Sequence, residues 1–497
     1  MVRHFAVEQN GRECIDMKIS HTALAASLAL LLGGCMVGPD YHRPQVPVPT
    51  QYKELPGWTQ AVPSDEAPKG AWWTSFNDPL LNELEPQVSV SNQTVRQAYA
   101  NYQEALADVK VANASLFPTI GLSGSGSKQR TTSSSSSLNP SFHPVSTSGS
   151  VEGNISWAPD LWGKVRRTIE ENKATAQASQ ATLANATLSE QTALATAVLE
   201  LRVADANTDL LQKTVDAYTE YLRVVENQGT AGTTPPSDVI TARTQLENAK
   251  ASLIALGVAR AQYAHAIAVL IGKNPEELDI PHSTTLPTLP SVPVGVPSTL
   301  LERRPDIAVA ERQMAAQNAA VGVAIAAYYP SISLSAADGF SQSPLAGLLH
   351  LANHVWSVGA DVDETVFDFG ARHGEVTAAK AAYESAVANY RGTVLTAFQN
   401  VEDDLSGLRI LAQQADVLDA AVKDATQGAQ IAMNEYQAGT VDYTTAATAL
   451  ATQLSTQESA LSVQQQRLLD SVSLIGDLGG GWSADELGNS KQVDAAR

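Results

Sequence analysis

The sequence predicts an α+β membrane protein with an internal duplication, in which short β-strands and very long α-helices each occur twice. Three observations predict this fold class. Landmarks recur along the chain at a distance of about 210 residues. Four short stretches alternate apolar and polar side chains with the period of a strand. Two stretches of roughly 65 residues contain no proline and read as helices.

The duplication is marked by pairs of short segments, one in each half of the chain. The three pairs are Phe117-Pro118 with Tyr329-Pro330, the segment 160–164 with the segment 368–372, and 231–233 with 438–440. Each half therefore predicts the order helix, strand, loop, strand, long helix, turn, long helix.

The strands are predicted at about residues 117–129, 149–159, 329–340 and 355–367 from their period of two. Two loops between them, Thr131 to Thr147 and Ser341 to Asn353, are expected to be polar and to lie on one side. Apolar-out and polar-in strands with such loops are typical of an outer-membrane barrel. A soluble β-sandwich would show the same alternation.

The helical stretches run from Lys164 to about Gln228 and from Arg372 to about Gln437, and are dominated by Ala, Leu, Gln, Glu and Thr. A helix of this length spans about 100 Å. The many alanines allow close approach, which favours coiled-coil-like packing of several helices side by side.

The bulk composition limits the possible partners. Acidic residues outnumber basic ones by 52 to 32, which gives a formal net charge of −20 and argues against nucleic acid as a partner. The only two cysteines are Cys14 and Cys35, so the body of the chain has no disulfide framework.

The beginning of the chain predicts export. An apolar run from Ala23 to Leu32 follows Lys18 and ends at Gly33-Gly34-Cys35, as in a secretory signal. The ending resembles a bacterial lipobox, which implies that Cys35 carries a lipid and becomes the new N-terminus. No later stretch is expected to reach the 18 or so apolar residues of a spanning helix, so any membrane crossing must use strands.

The predicted organisation has five parts: a signal peptide at 1–34, of which 1–16 is an over-long start; a lipidated, proline-rich tether at 35–70; a first structural repeat at 71–290; a second repeat at 291–482; and a polar, disordered tail at 483–497. Four strands cannot close a barrel, because the smallest membrane barrels need about eight. An open edge in lipid would leave backbone groups unpaired, so several chains must combine their strands.

Five segments taken together resemble the outer-membrane efflux lipoproteins of the TolC/OprM (NodT-type) outer membrane factor family. They are Cys35–Tyr41 with Pro44, Trp72-Trp73 with Phe76, Asp78-Pro79-Leu80, Leu300–Ile307 with Ala310-Glu311, and Leu478–Trp482. The resemblance covers about Cys35 to Trp482. It implies a homotrimer that combines four strands per chain into a twelve-stranded β-barrel, continued by a coiled-coil-like helical periplasmic tunnel.

The resemblance also implies partners and the absence of catalysis. A periplasmic adaptor and an inner-membrane pump, of the RND type, would dock on the trimer in the outer membrane. The chain would act as a passive exit duct and not as an enzyme, with no cofactor other than the covalent lipid at Cys35. A type I secretion outlet for polypeptides and a non-channel coiled-coil lipoprotein are the alternatives.

Members of this family narrow at the periplasmic tip, and some of their constriction residues can be matched here. Asp238 matches the acid of the first repeat and Tyr436 matches a tyrosine of the second. Thr445 and Thr448 stand where relatives often have Asp, and Asp442 is a substitute for the missing acids. The hypothesis is that Asp238 and Tyr436 line the constriction with moderate cation selectivity; the alternative for Asp238 is a helix cap.

The family motif Arg303-Arg304-Pro305-Asp306 has a structural interpretation. Pro305 suits the first turn of a helix, where its missing N–H is harmless. The two arginines are then expected to anchor this helix start to a neighbouring element.

Two metal-like patterns are rejected. His350 and His354 are four residues apart, but no glutamate follows the first and no third ligand is near. Asp361 and Asp363 resemble the start of a calcium loop, but the required glycine and terminal glutamate are missing. No nucleophile elbow or phosphate loop is present in the sequence.

Overall fold

The computed structural model describes residues 36–49, 51–54, 71–130, 145–290 and 300–487. The signal peptide, Cys35 and most of the first predicted loop lie outside these ranges. The helices are α1 Pro79–Ser91, α2 Gln93–Ala114, α3 Lys164–Thr230, α4 Pro236–Leu270, α5 Leu300–Arg303, α6 Pro305–Ala326, α7 Ala371–Gln437 and α8 Tyr443–Asp477. The strands are β1 Thr119–Arg130, β2 Val145–Trp157, β3 Ser331–Gln342 and β4 His354–Asp363.

The long helices and the strands lie close to their predicted positions. Helices α3 and α7 each contain 67 residues. Strand β2 begins at Val145, earlier than predicted, and β4 ends at Asp363, before the predicted 367. The tail was expected to be disordered from residue 483, but Ala484–Glu486 forms a 3-10 turn in which Ser483 accepts a hydrogen bond from the Asp485 N–H.

The chain divides into two compact units. The sheet unit comprises residues 36–40, Ala112–Glu170 and Ala319–Ala379, and the helical unit comprises Tyr41–Val111, Glu171–Asn318 and Lys380–Arg497. Each unit therefore draws on both sequence repeats, and the duplication is built into each unit rather than separating one from the other.

The sheet unit contains one four-stranded antiparallel sheet in the order β1-β2-β3-β4. Among the described residues, β1 and β4 each pair on one side only. Strand β2 is followed by the first turns of α3, and β4 is followed by those of α7, which belong to the same unit. Within the described residues the sheet is therefore open at both edges, and the loop between β3 and β4 lies at the end opposite to α3 and α7.

The register gives the sheet one apolar and one polar face, because directly opposite residues share a face. Ile120 lies opposite Ile155, and Ala336 lies opposite Val358. The large exposed side chains of the apolar face are Ile120, Leu122, Val145, Val151, Ile155, Leu334, Trp356, Val358 and Val362. The polar face carries mainly Ser, Thr, Asn, Glu, Asp and Gly. This is the alternation predicted from the sequence.

Hydroxyl pairs link β1 and β2 across the polar face. The Oγ1 atom of Thr119 lies 2.7 Å from Ser156 Oγ. Two serine pairs continue the row, with 2.9 Å between the hydroxyls of Ser125 and Ser150 and 2.8 Å between those of Ser127 and Ser148. Neighbouring hydroxyls therefore bond to one another along this face.

The loop between β3 and β4 is not polar, contrary to the prediction. It carries Leu345, Leu349 and Leu351, which are 45%, 69% and 85% exposed. Leu345 covers Gly149 of β2 so closely that a Cβ there would lie 2.3 Å from the Leu345 Cδ1 atom. Gly149 lies two residues from Val151 on β2 and therefore on the same apolar face, so this loop folds over the apolar face.

The helical unit has its own hydrophobic core. Its largest cluster joins the 3-10 turn Trp72–Phe76, α1, the middle of α3 and the ends of α4 and α8. Helix α4 contains an 18-residue window of mean hydropathy 1.5 and, by length and composition, could cross a membrane. The expectation that no such stretch exists is therefore wrong. The buried residues of α4, including Leu246 and Ile267, pack in the clusters of this unit.

Candidate functional site

The turn between α3 and α4 and the turn between α7 and α8 share one backbone geometry; we call residues 231–235 and 438–442 the tip turns. The Thr233 N–H donates to the Gln228 carbonyl and the Thr440 N–H to the Glu435 carbonyl, both at 2.9 Å. Gly232 and Gly439 have φ of 74° and 75°. This hydrogen-bond pattern ends a helix with a left-handed residue, which explains the glycine in both repeats.

Tyr436 joins the two hairpins that end at the tip turns. Its side chain is 5% exposed, and its hydroxyl donates to Gln228 Oε1 at 2.5 Å. The ring of Tyr443 packs edge-on at 5.6 Å, and the Tyr443 hydroxyl donates to Gln245 Oε1 at 2.9 Å. Two tyrosines from the second repeat thus bind two glutamines from the first.

The tyrosine pair is neutral. Burial is the main factor that raises the pKa of Tyr436, and the carboxylate of Asp238 raises it further. Burial also raises the pKa of Tyr443. Both hydroxyls therefore remain hydrogen-bond donors at physiological pH. In this conformation Tyr436 is enclosed within the chain, and its hydroxyl links the two hairpins. That Tyr436 lines a constriction stays a prediction.

Asp238 is the third residue of α4 and is half-buried beside the tyrosine pair. The Thr234 hydroxyl donates to Asp238 Oδ2 at 3.1 Å, and the Ser237 hydroxyl lies 3.3 Å from Oδ1. The cap position belongs to Pro235, which makes no side-chain cap bond. The alternative that Asp238 is the helix cap is therefore wrong.

Asp442 caps α8. Its Oδ1 atom accepts from the Thr445 N–H at 2.8 Å and from the Thr445 hydroxyl at 2.7 Å, which holds the pKa of Asp442 below its usual value. The Thr448 hydroxyl donates to the Thr444 carbonyl at 2.8 Å. Thr445 and Thr448 line an open groove of about 510 Å³ against α7, with Ala425 and Gly428 opposite.

Arg304 lies at the start of α6 and is 8% exposed. Its guanidinium donates to both carboxylate oxygens of Asp306, at 3.0 and 2.7 Å. It also donates to the carbonyl and the carboxylate of Asp477, at 2.9 and 2.7 Å. Arg304 therefore anchors the start of α6 to the end of α8, with Pro305 in the first turn as predicted. The side chain of Arg303 is exposed, and its carbonyl oxygen packs against Gly479.

The first repeat contains an equivalent contact at the start of α2. The Asn92 side chain donates to the carbonyl of Leu270, the last residue of α4, at 2.9 Å. Its Oδ1 atom accepts from the N–H groups of Thr94 and Val95. A glycine packs on the chain just before each helix: a Cβ on Gly272 would lie 2.3 Å from the Ser91 carbonyl oxygen, and one on Gly479 would lie 2.1 Å from that of Arg303. We call these two contacts the helix-start junctions.

The segment that follows Cys35 is fixed to the sheet unit. The Val37 N–H donates to the Trp162 carbonyl at 3.1 Å. Arg167, which is 1% exposed on its side chain, binds the carbonyls of Val37 and Gly38 and the carboxylate of Asp40. Sequence reasoning missed Arg167 because nothing local to the α3 sequence identifies a partner about 130 residues away.

Among the described residues, no group of three or more His, Cys, Asp or Glu side chains is placed to hold a metal ion. His354 Nε2 lies 2.8 Å from Asp338 Oδ1, while His350 precedes the 3-10 turn Leu351–Asn353. Asp361 and Asp363 lie in strand β4, opposite Ser333 and Ser331.

Comparisons with known proteins agree with this architecture. The family model described as "Outer membrane efflux protein" matches residues 85–273 and 296–480. The toluene efflux pump outer membrane protein TtgC of Pseudomonas putida is 29% identical over 459 residues, covering 92% of this chain and 95% of the relative. Nodulation protein T of Rhizobium leguminosarum is 30% identical over 451 residues, which covers 89% of this chain and 92% of the relative.

A solved structure extends the likeness to three dimensions. The outer-membrane channel OprN superimposes with a TM-score of 0.82 at 29% identity, covering 90% of this chain and all of that chain. The two blocks matched by the family model contain all four strands, α2 to α4 and α6 to α8. The chain belongs to the outer membrane efflux protein family.

Proposed function

We propose that this chain forms, as a homotrimer, the passive outer-membrane exit duct of a tripartite efflux system for small molecules. The observation that carries the proposal is the four-stranded sheet with an apolar face, a polar face and two open edges. Such a sheet is stable in lipid only when copies of the chain close it into a barrel. Three copies supply twelve strands, with the polar face towards the lumen.

The periplasmic adaptor and the RND-type pump are part of this proposal. Relatives such as TtgC carry names of efflux-pump outer-membrane components, which supports an assembly with a pump. A duct of this kind depends on a pump for both substrate choice and energy. A polypeptide secretion outlet is the second candidate. Co-purification with an RND-type pump would favour the small-molecule duct over it.

Single-channel recording in a planar bilayer tests the duct. The trimer should give small, steady currents, because the hairpins are fastened by Tyr436 and Gln228 at the tip. Tyr436→Phe removes that hydrogen bond and keeps the ring, so the current should rise. Tyr443→Phe removes the second bond between the hairpins and should raise the current as well. Tyr99→Phe, at an exposed position of α2, is the matched control and should leave the current unchanged. A folded, inserted trimer that stays silent in both forms would contradict the proposal.

Asp238 tests ion selectivity at the same tip. Asp238→Ala removes a carboxylate from the proposed passage and should lower the preference for cations over anions. Asp442→Ala serves as the comparison, because Asp442, Thr445 and Thr448 face an open groove. Equal cation selectivity in the wild type and in Asp238→Ala would show that Asp238 does not line the constriction.

Lipid attachment at Cys35 is likewise proposed. The next residue, Met36, lies against Gly163, where a Cβ would be 2.9 Å from the Met36 Cα atom. Met36 is thus held beside the connection between β2 and α3. Cys35→Ser should abolish labelling by radioactive palmitate and leave the trimer intact. Retained labelling would show that the lipid is elsewhere.

A further inference from the structure

The apolar face of the sheet changes character near its loop end. Lys128 lies opposite Thr147 and Arg130 lies opposite Val145, so both basic residues share the face that carries Ile120 and Leu122. Both side chains are exposed, and among the described residues neither has an ion-pair partner. They are two residues apart on one strand, so their Cα atoms are about 7 Å apart.

The depth of these two cations in the bilayer can be inferred from the cost of exposing a charge to lipid. A lysine or arginine that faces lipid costs about 2–4 kcal/mol at the bilayer midplane and close to nothing near the interface. Lys128 and Arg130 therefore lie at headgroup level. The strand ends opposite to the loops continue into helices, and members of this family extend their helices into the periplasm. The loop end therefore faces the outer leaflet.

Apolar side chains of the β3–β4 loop occur at the same end of the sheet as the cations. Leu345 covers Gly149, which is two residues from Thr147 on the same face of β2, and Thr147 is the partner of Lys128. Leu349 and Leu351 of the same loop are exposed to 69% and 85%. Cations at headgroup level, with exposed leucines at the same end of the sheet, match a ligand with a charged head and alkyl chains.

We give the name loop-end lipid surface to five side chains: Lys128, Arg130, Leu345, Leu349 and Leu351. We propose that this surface binds the phosphorylated glycolipid of the outer leaflet. The two cations bind the phosphates of the head, and the leucines contact its acyl chains. Asp338, an acid on the same face, lies two strands away at the level of Leu122 and is already bonded to His354 at 2.8 Å. The positive charge of Lys128 and Arg130 is therefore not neutralised by this acid.

The choice of glycolipid over glycerophospholipid rests on the leaflet. Strand edges pair through backbone groups, so closure of a barrel leaves the side chains of the apolar face in lipid. Each protomer of a trimer would then present one such surface to the outer leaflet, where the phosphorylated glycolipid is the main lipid. This inference needs the barrel and its orientation but is independent of what the duct exports.

Titration of the full-length trimer in neutral detergent with fluorescent diphosphoryl lipid A tests the proposal. The variant Lys128→Ala/Arg130→Ala should bind on the order of 30-fold more weakly, at about fivefold per basic residue. The matched control Arg96→Ala/Lys110→Ala removes two exposed cations from α2 and should bind as wild type does. Leu349→Ser/Leu351→Ser should weaken binding while the charge is unchanged.

Trimer retention on native gels and single-channel current establish that each variant is folded. Unchanged binding of lipid A by the Lys128/Arg130 variant would overturn the proposal. So would equal affinity of the wild type for phosphatidylglycerol, which would point to any anionic lipid instead of the outer-leaflet glycolipid. Either result would leave the conductance of the duct, and hence the proposed function, unaffected.

Discussion

The two helix-start junctions have the same backbone arrangement and different chemistry. In the first repeat a neutral amide, Asn92, binds the end of α4 at Leu270 and also donates to the carboxylate of Glu190 in α3. In the second repeat a guanidinium, Arg304, binds the end of α8 at Asp477. Duplication thus preserved the contact between the same two helix ends, while the side chains that make it diverged from neutral to charged.

The difference in charge has an energetic consequence. A buried amide needs only its hydrogen bonds, whereas a buried guanidinium needs partners of opposite charge. Arg304 has two carboxylates, and a third, Asp404, lies close to Asp477. Burial, then repulsion from Asp477, raises the pKa of Asp404 to about 8. Only the second junction therefore responds strongly to mutation and to pH.

The largest expected effect is that of Arg304→Met. Removing the cation leaves the half-buried carboxylates of Asp477 and Asp306 without their partner, which should cost about 3 kcal/mol of stability, the lower end of the loss for a buried pair. Asn92→Ala, the equivalent change in the first repeat, should cost only about 1–2 kcal/mol, from a lost cap and a lost hydrogen bond. Urea unfolding followed by circular dichroism measures both, and equal losses would show that charge is unimportant here.

The next effect should be the same in both junctions. Gly272→Ala and Gly479→Ala each place a Cβ against a backbone carbonyl at positive φ, which should cost about 1–3 kcal/mol. Thermal unfolding of the two variants in parallel gives the comparison, with Gly374→Ala, which meets open space, as the control. A loss confined to one junction would contradict a shared backbone arrangement.

The last effect is one of pH, and screening by solvent keeps it small because Asp404 is only half-buried. Because the folded pKa of Asp404 is about 8 and its ordinary value is 3.8, the folded chain retains a proton that the unfolded chain releases. This stabilisation is fully present below about pH 4 and is lost as pH rises to 8. Asp404→Asn should therefore flatten the fall in Tm between pH 5 and 8. Asp416→Asn, at an exposed position farther along the same helix, should leave the fall unchanged. Identical slopes for all three proteins would refute the assignment.

Much of this fold could be predicted from the sequence because its periods are long and regular. Alternation predicted the sheet, and uninterrupted alanine-rich stretches predicted α3 and α7. The β3–β4 loop was misjudged because position between strands was taken to imply polarity, although its leucines are plain in the sequence. The apolar window of α4 was missed because its alanines and valines are divided by single polar residues.

The candidate site was harder to predict, because its contacts join residues far apart in the chain. Tyr436 was identified by family resemblance, but its partner Gln228 is 208 positions away and has no local signature. Asp442 was regarded as a substitute acid, and its bonds to Thr445 make it a cap. Local spacing predicts caps and turns well, and it does not predict which helices pack together.

The row of paired hydroxyls on the polar face of the sheet affects how quickly cargo can leave. A hydroxyl that already bonds its neighbour, as Ser125 does with Ser150, has less capacity to hold a passing solute. Water beside such a wall exchanges without large losses of hydrogen bonding. Residence time in the last part of the route would then depend on width and diffusion, and the outward step would need no further input of energy.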